Sequence, residues 1–213
     1  MFHLINQEEW PRKDHFQYYT NFLKCGYTVT VRIDVTNLYQ QVKQYQLKFY
    51  PAFIYCAAKV VNEKTEFKMG LDAQGRLGYW DIVHPNFTIF HKDDHTFSDI
   101  WSDYDPDFGR CYENIVGDME KYKDQKGPKV KDRQPPNFFC ISCVPWMDFT
   151  GYSTWVPEGQ PNLFPIITFG KYVEDGQRMK LSVALTISHA AADGYHTSMF
   201  FQRLQEVLDT ILF

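Results

Sequence analysis

Ten residues near the C-terminal end, Met179–Ser188, alternate so regularly that they admit one reading. Leu181, Val183, Leu185 and Ile187 share a face, the signature of a half-buried strand. The strand runs straight into Ser188-His189-Ala-Ala-Ala-Asp193-Gly194-Tyr195-His196, and an amphipathic helix follows from about Thr197 to Ile211. Strand ends are where a rigid scaffold presents chemical groups. An imidazole is the side chain best matched to taking and returning a proton near neutral pH. The three alanines leave little bulk beside the His189 ring, so a second molecule can approach it. Gly194 points to a positive φ or a close backbone contact. On its own the pattern fits a catalytic group and a merely structural turn equally well.

The rest of the chain mixes helices and strands. Trp10-Pro opens a helix running through Tyr18, Tyr19 and Phe22 to Gly26. Tyr27–Val35 alternates as a second half-buried strand. Thr36 caps a short helix carrying Leu38, Val42 and Tyr45, and Pro51 opens a deeply buried one over Ala52–Asn62. Phe67–Leu71 and Leu77–Trp80 flank Asp72-Ala-Gln-Gly-Arg, a hairpin signal. Phe87–His91, Phe138–Val144 and Ile166–Val173 read as strands. Ser98–Lys123 reads as helical with a break near Pro106, and Asp124–Pro136 as a surface loop. Without strict β-α-β repetition, the expected fold is a single α/β domain over 1–213, a two-layer sandwich with a mixed β-sheet flanked by helices.

Composition narrows the function. Aromatic residues make up 17%, with 18 Phe and 14 Tyr, enough to fill a large core and to line an apolar pocket or a subunit interface. A net charge of −4 gives no electrostatic reason to expect nucleic acid or an acidic membrane. No stretch approaches the ~20 apolar residues of a membrane span. Five scattered cysteines and no signal-peptide pattern point to a reducing cytoplasm. Cys140 and Cys143 have redox-motif spacing, but within a strand an odd offset turns them to opposite faces. No residue set has zinc-site spacing, so no metal is expected. No Gly-rich phosphate loop is present.

Several segments along nearly the full chain carry a resemblance. They are Trp10-Pro-Arg12-Lys-Asp-His15-Phe16, Lys48-Phe-Tyr-Pro-Ala-Phe-Ile, Trp80-Asp-Ile-Val-His-Pro, Phe87-Thr-Ile-Phe-His, and Thr96-Phe-Ser with Trp101-Ser. Ile141-Ser142-Cys-Val-Pro145-Trp146, Pro165-Ile-Ile-Thr168-Phe-Gly-Lys171-Tyr172 and His189-x-x-x-Asp193-Gly194-x-His196 complete the series. In order and spacing the chain resembles the trimeric, coenzyme A-dependent chloramphenicol acetyltransferases. The resemblance implies a homotrimer with active sites between subunits, His189 coming from one subunit and much of the acceptor pocket from its neighbour.

It also implies a chemistry. His189 takes the proton from the 3-hydroxyl of chloramphenicol, and the oxygen attacks the acetyl-CoA thioester without an acyl-enzyme. Ser142 matches the residue that stabilises the tetrahedral oxyanion, and Thr168 one that supports it through a water. Arg12 and Asp193 match a pair that holds the site together rather than a proton relay. Tyr50, Trp146, Lys171 and Tyr172 match coenzyme A contacts. Tyr18, Tyr19, Leu23, Tyr152 and Val156 lie on segments lining the acceptor pocket. The chain departs from the family pattern at Ser188, at Tyr195 and across 151–163, the last being where the acceptor pocket is built. Two alternatives remain open: acetylation of another hydroxyl compound on the same scaffold, and a non-catalytic drug-binding trimer.

Overall fold

In the computed structural model, residues 1–154 and 162–213 are described. The two alternating segments become β2 (Gly26–Asp34) and β10 (Arg178–Ser188), paired antiparallel from Lys180↔Asp34 to Ser188↔Gly26. Nine consecutive pairs make this the longest ladder among the described residues. β10 also pairs with β8 (Ile166–Phe169) and with the short β9 (Val173–Asp175). From β8 the sheet continues to β7 (Phe138–Cys143), β5 (His84–His91) and β6 (Thr96–Trp101). The β7–β8 and β5–β7 pairings are parallel and the others antiparallel, so the sheet is mixed, as expected. A small antiparallel sheet of β1 (Phe2–Leu4), β4 (Leu77–Trp80) and β3 (Met69–Leu71) stands apart from it.

Period-two patterning decides which face of the large sheet is covered by helices. Leu181, Val183, Leu185 and Ile187 join Ile167, Phe169, Ile141 and Phe87 in the core. Against them lie α3 (Phe49–Glu63) and α5 (Gly194–Thr210), with α2 (Thr36–Gln44) and α4 (Phe108–Tyr122) packed alongside. Phe53 on α3 meets Phe169 on β8 at 4.4 Å between ring centroids. α3 is apolar nearly all round because it is enclosed, Ala52 through Ala58 all being buried. Among the described residues no helix is long and apolar enough to cross a membrane.

The opposite sheet face carries the small and polar side chains: Thr28 and Thr30, Ser182, Ala184 and Thr186, Thr168, Ser142 and Thr88. The segment after β7 folds back across part of it. Asp148 accepts from Ser182 (2.9 Å) and from Arg32 (2.5 Å), and Tyr152 N donates to Thr30 Oγ1 (3.4 Å).

The sequence reading and the structure differ in several places; Ile166–Val173, for one, divides into β8 and β9. The N-terminal helix is α1 (Lys13–Gln17) followed by a π-helix over Tyr18–Phe22, so the run to Gly26 is not one regular helix. Residues 98–101 belong to β6 rather than to a helix, because Asp99 and Ile100 complete the ladder to Thr88 and Phe87. Thr36 does not cap α2 with its side chain; Asp34 Oδ1 accepts from both Thr36 N and Thr36 Oγ1.

Gly170, directly after β8, has its backbone against the folded-back segment. A Cβ there would stand 2.7 Å from Met147 O and 3.2 Å from the Phe149 ring. Gly170→Ala should therefore destabilise the protein by roughly 1–3 kcal/mol, the range for overpacking. Urea denaturation reads this as a lower midpoint, and an unchanged midpoint would contradict the close approach.

Candidate active site

His189 follows the last residue of β10, and its peptide N–H donates to Cys25 O at 3.0 Å across from the start of β2. Tyr19, on the π-helix, lies almost parallel to the imidazole, with ring centroids 3.9 Å apart and planes inclined by 10°. Tyr27 packs on the same ring at 5.1 Å with a 53° tilt. The ladder places Tyr27 there, since it registers with Ile187 two residues before His189. Nδ1 of His189 is buried with no hydrogen-bond partner among the described residues. Among the described residues the ring is thus held by two aromatic faces and its own backbone, not by a carboxylate.

Asp193 is occupied elsewhere. Its carboxylate accepts from Arg12 Nη1 at 2.5 Å, lies 2.8 Å from His196 Nδ1, and accepts from Tyr195 N at 3.0 Å, capping α5. Partial burial opposes its ionisation, but the Arg12 hydrogen bond and the His196 ring prevail and hold the carboxyl down to about 2. Arg12 thereby ties the N-terminal segment to the turn that carries His189. Gly194 requires neither positive φ nor close backbone contact: it is the first residue of α5, outside the positive-φ glycines, with open space where a Cβ would sit. That expectation is corrected; a helix start tolerates the residue without needing it.

Ser142 and Thr168 form a second group. They are register partners on β7 and β8, and Thr168 in turn pairs with Ala184 on β10. Ser142 therefore lies two strands from β10, level with a residue five positions before His189. By strand rise and spacing this is roughly 16 Å along and 10 Å across, about 19 Å in all. Within one chain the structure does not bring Ser142 to the imidazole.

The remaining sequence-derived residues divide between these groups. Tyr18 meets Tyr19 edge-on at 5.1 Å, and Tyr18, Phe22 and Leu23 are exposed beside the His189 end. Tyr152 packs on Phe149 over the polar sheet face. Val156 lies outside the described residues. Trp146 is exposed, edge-on to Phe90 at 4.7 Å, and Lys171 is exposed on the adjoining turn, its N–H donating to Met147 O. Tyr172 packs on Tyr39 and Phe49. Tyr50 is used internally: its hydroxyl bonds the backbone of Thr88 and its ring packs on Phe87 and Phe169. Cys140 and Cys143 are free thiols whose acidity burial suppresses, with values raised to about 11 and about 12. Among the described residues no cluster of three or more His, Cys, Asp or Glu side chains has metal-binding geometry.

The mixed sheet, the helix layer and a histidine raised on a strand end define an acyltransferase-like fold. A solved chloramphenicol acetyltransferase superposes with a TM-score of 0.85 at 22% identity, covering 98% of this chain and 100% of the other. A dihydrolipoamide acetyltransferase from Azotobacter vinelandii, studied for the catalytic roles of a serine, a histidine and an asparagine, gives 0.68 at 19% identity, over 87% and 82% of the two chains. In sequence, residues 1–205 match the family model described as chloramphenicol acetyltransferase. The chloramphenicol acetyltransferase of Clostridium perfringens is 40% identical over 97% of this chain and 94% of its own. That of Staphylococcus aureus is 38% identical over 98% and 96%. The chain belongs to the chloramphenicol acetyltransferase family.

Breaking the Arg12–Asp193 pair tests its anchoring role. At 14% and 32% side-chain exposure the pair lies between buried and surface cases, so Arg12→Leu should cost roughly 2–3 kcal/mol at neutral pH. The folded-state acidity of Asp193 is below its unfolded value, so the contribution is complete above about pH 4 and fades as pH falls toward about 2. Denaturation curves of wild type and variant should accordingly converge at low pH. A gap that stays constant to pH 2 would contradict the pairing.

Proposed function

We propose that this chain is a chloramphenicol O-acetyltransferase that moves the acetyl group of acetyl-CoA to the drug's 3-hydroxyl and so confers resistance. The observation that carries the reading is a full-length family match coinciding with an imidazole fixed at a strand end by Tyr19 and Tyr27.

An alkoxide is too basic to exist free near neutral pH, so deprotonation must accompany attack. His189 takes the hydroxyl proton as the acceptor oxygen forms its bond to the thioester carbonyl carbon. The Ser142 hydroxyl donates to the resulting oxyanion, with Thr168 supporting it. Collapse breaks the carbon–sulfur bond, and the proton returns from His189 to the departing thiolate. Tyr18, Tyr19 and Leu23 supply an apolar wall suited to a flat nitrophenyl ring, with Tyr152 and Val156 on the facing segment. Trp146, Lys171 and Tyr172 would hold coenzyme A, with Tyr50 packed beneath that region.

Two copies of the chain complete one site. The separation of Ser142 from His189 within a chain supports this, because a single protomer cannot set a base and an oxyanion donor about the same carbonyl. A closed homotrimer, each interface joining His189 of one subunit to Ser142 and Thr168 of the next, is the assembly we assign, and the reducing cytoplasm is its proposed compartment.

Thiol release from acetyl-CoA is the direct assay. Wild type should release thiol with chloramphenicol, whereas release only with other alcohols, or drug binding without release, would replace the reading. His189→Ala should nearly abolish turnover while leaving drug binding largely intact; a variant at the wild-type rate ends the base assignment. Ser142→Ala should lower kcat by ~10²–10³, the scale for one lost oxyanion donor. An effect confined to KM would show a ground-state contact only.

A further inference from the structure

The parallel ladder between β5 and β7 is registered from His84↔Phe138 to Phe87↔Ile141, so the next residues across are Thr88 and Ser142. At that point a side chain replaces the ladder. Tyr50 reaches in from α3, its hydroxyl accepting from Thr88 N (3.2 Å) and donating to Thr88 O (3.1 Å). Its ring is fixed edge-on to Phe87 at 6.2 Å and tilted on Phe169 at 5.7 Å. Burial pushes the Tyr50 phenol well above its ordinary range, so the hydroxyl keeps its proton and both bonds. Gripped at both peptide groups, Thr88 holds its Oγ1 at 3.4 Å from Ser142 Oγ, while Thr168 flanks Ser142 on the other side.

A serine hydroxyl carries one proton and can point it in several directions. As an oxyanion donor it must point that proton at the developing charge, and every other orientation wastes it. A neighbour that donates to the serine oxygen removes the competing orientation and polarises the O–H. We propose that Thr88 is a positioning residue: its hydroxyl donates to Ser142 Oγ and commits the serine's proton to the oxyanion, with Tyr50 anchoring Thr88 in place. At 3.4 Å the contact is longer than a full-strength O–H···O bond, as expected of one that tightens when charge develops. The assignment rests on Ser142 being the oxyanion donor of the function proposed above.

The test is a kinetic cycle on the full-length enzyme with saturating acetyl-CoA and chloramphenicol. Thr88→Val keeps the branched shape a strand favours and removes the hydroxyl; Thr88→Ser keeps the hydroxyl. Thr88→Val should lower kcat about tenfold with both KM values within about twofold, and Thr88→Ser should restore most of the rate. In a Ser142→Ala background Thr88→Val should cause no further loss, because the group it acts through is gone. An equal loss with and without Ser142, an effect on KM alone, or a Thr88→Ser variant as slow as Thr88→Val would overturn the role. A crippled Ser142→Ala beside a fully active Thr88→Val removes Thr88 alone. A fully active Ser142→Ala removes the oxyanion assignment itself.

Discussion

The antiparallel ladder between β2 and β10 sets the positions on which every other feature depends. Its register carries Tyr27 to Ile187 and Gly26 to Ser188, so the strand ends level with Cys25, whose carbonyl takes the peptide N–H of His189. One residue of slip would turn Leu181, Val183, Leu185 and Ile187 out of the core. The buried face therefore enforces the position of the imidazole. Through Thr168↔Ala184 and Ser142↔Thr168 the same ladder fixes the hydroxyl row at mid-sheet. The distance between the imidazole and the Ser142 hydroxyl is consequently a property of the fold, and no rotation of either side chain closes it.

Around the imidazole, aromatic packing does what a carboxylate does in other histidine sites. Tyr19 stacks on one face and Tyr27 leans on the ring, while Asp193, the nearest acid in sequence, is occupied by Arg12, His196 and the start of α5. Aromatic neighbours constrain orientation without adding charge. Arg12 and Asp193 fasten the N-terminal segment, and with it Tyr19, to the turn after β10.

Much of this was legible in the sequence wherever one face of an element is buried. Val29, Val31 and Ile33 on β2 and Leu181 to Ile187 on β10 announce their strands through period two, and the strand-end position of His189 follows. The pairing of Arg12 with Asp193 was expected from family resemblance and is present as a 2.5 Å hydrogen bond. Short or two-sided elements were not legible. Phe2–Leu4 is three residues long, the π-helix at Tyr18–Phe22 leaves no periodic trace in five residues, and Thr96–Trp101 is strand only because β5 lies beside it. Tyr27 and Thr88 carry no sequence signal that marks them as neighbours of His189 and Ser142, for the same physical reason. Their importance lies in cross-strand neighbours far away in sequence, and only the register reveals them.

The proposed site is built from two copies of one chain, with His189 supplied by one and Ser142 by the other. Co-refolding equal amounts of His189→Ala and Ser142→Ala chains measures this directly, since each parent alone lacks one essential group at every interface. Mixed assemblies should recover roughly a quarter of wild-type thiol release, the chance that a random interface joins an intact histidine to an intact serine. Activity no higher than that of the two parents would mean that the groups act within one chain or not together at all, and the shared site would be wrong.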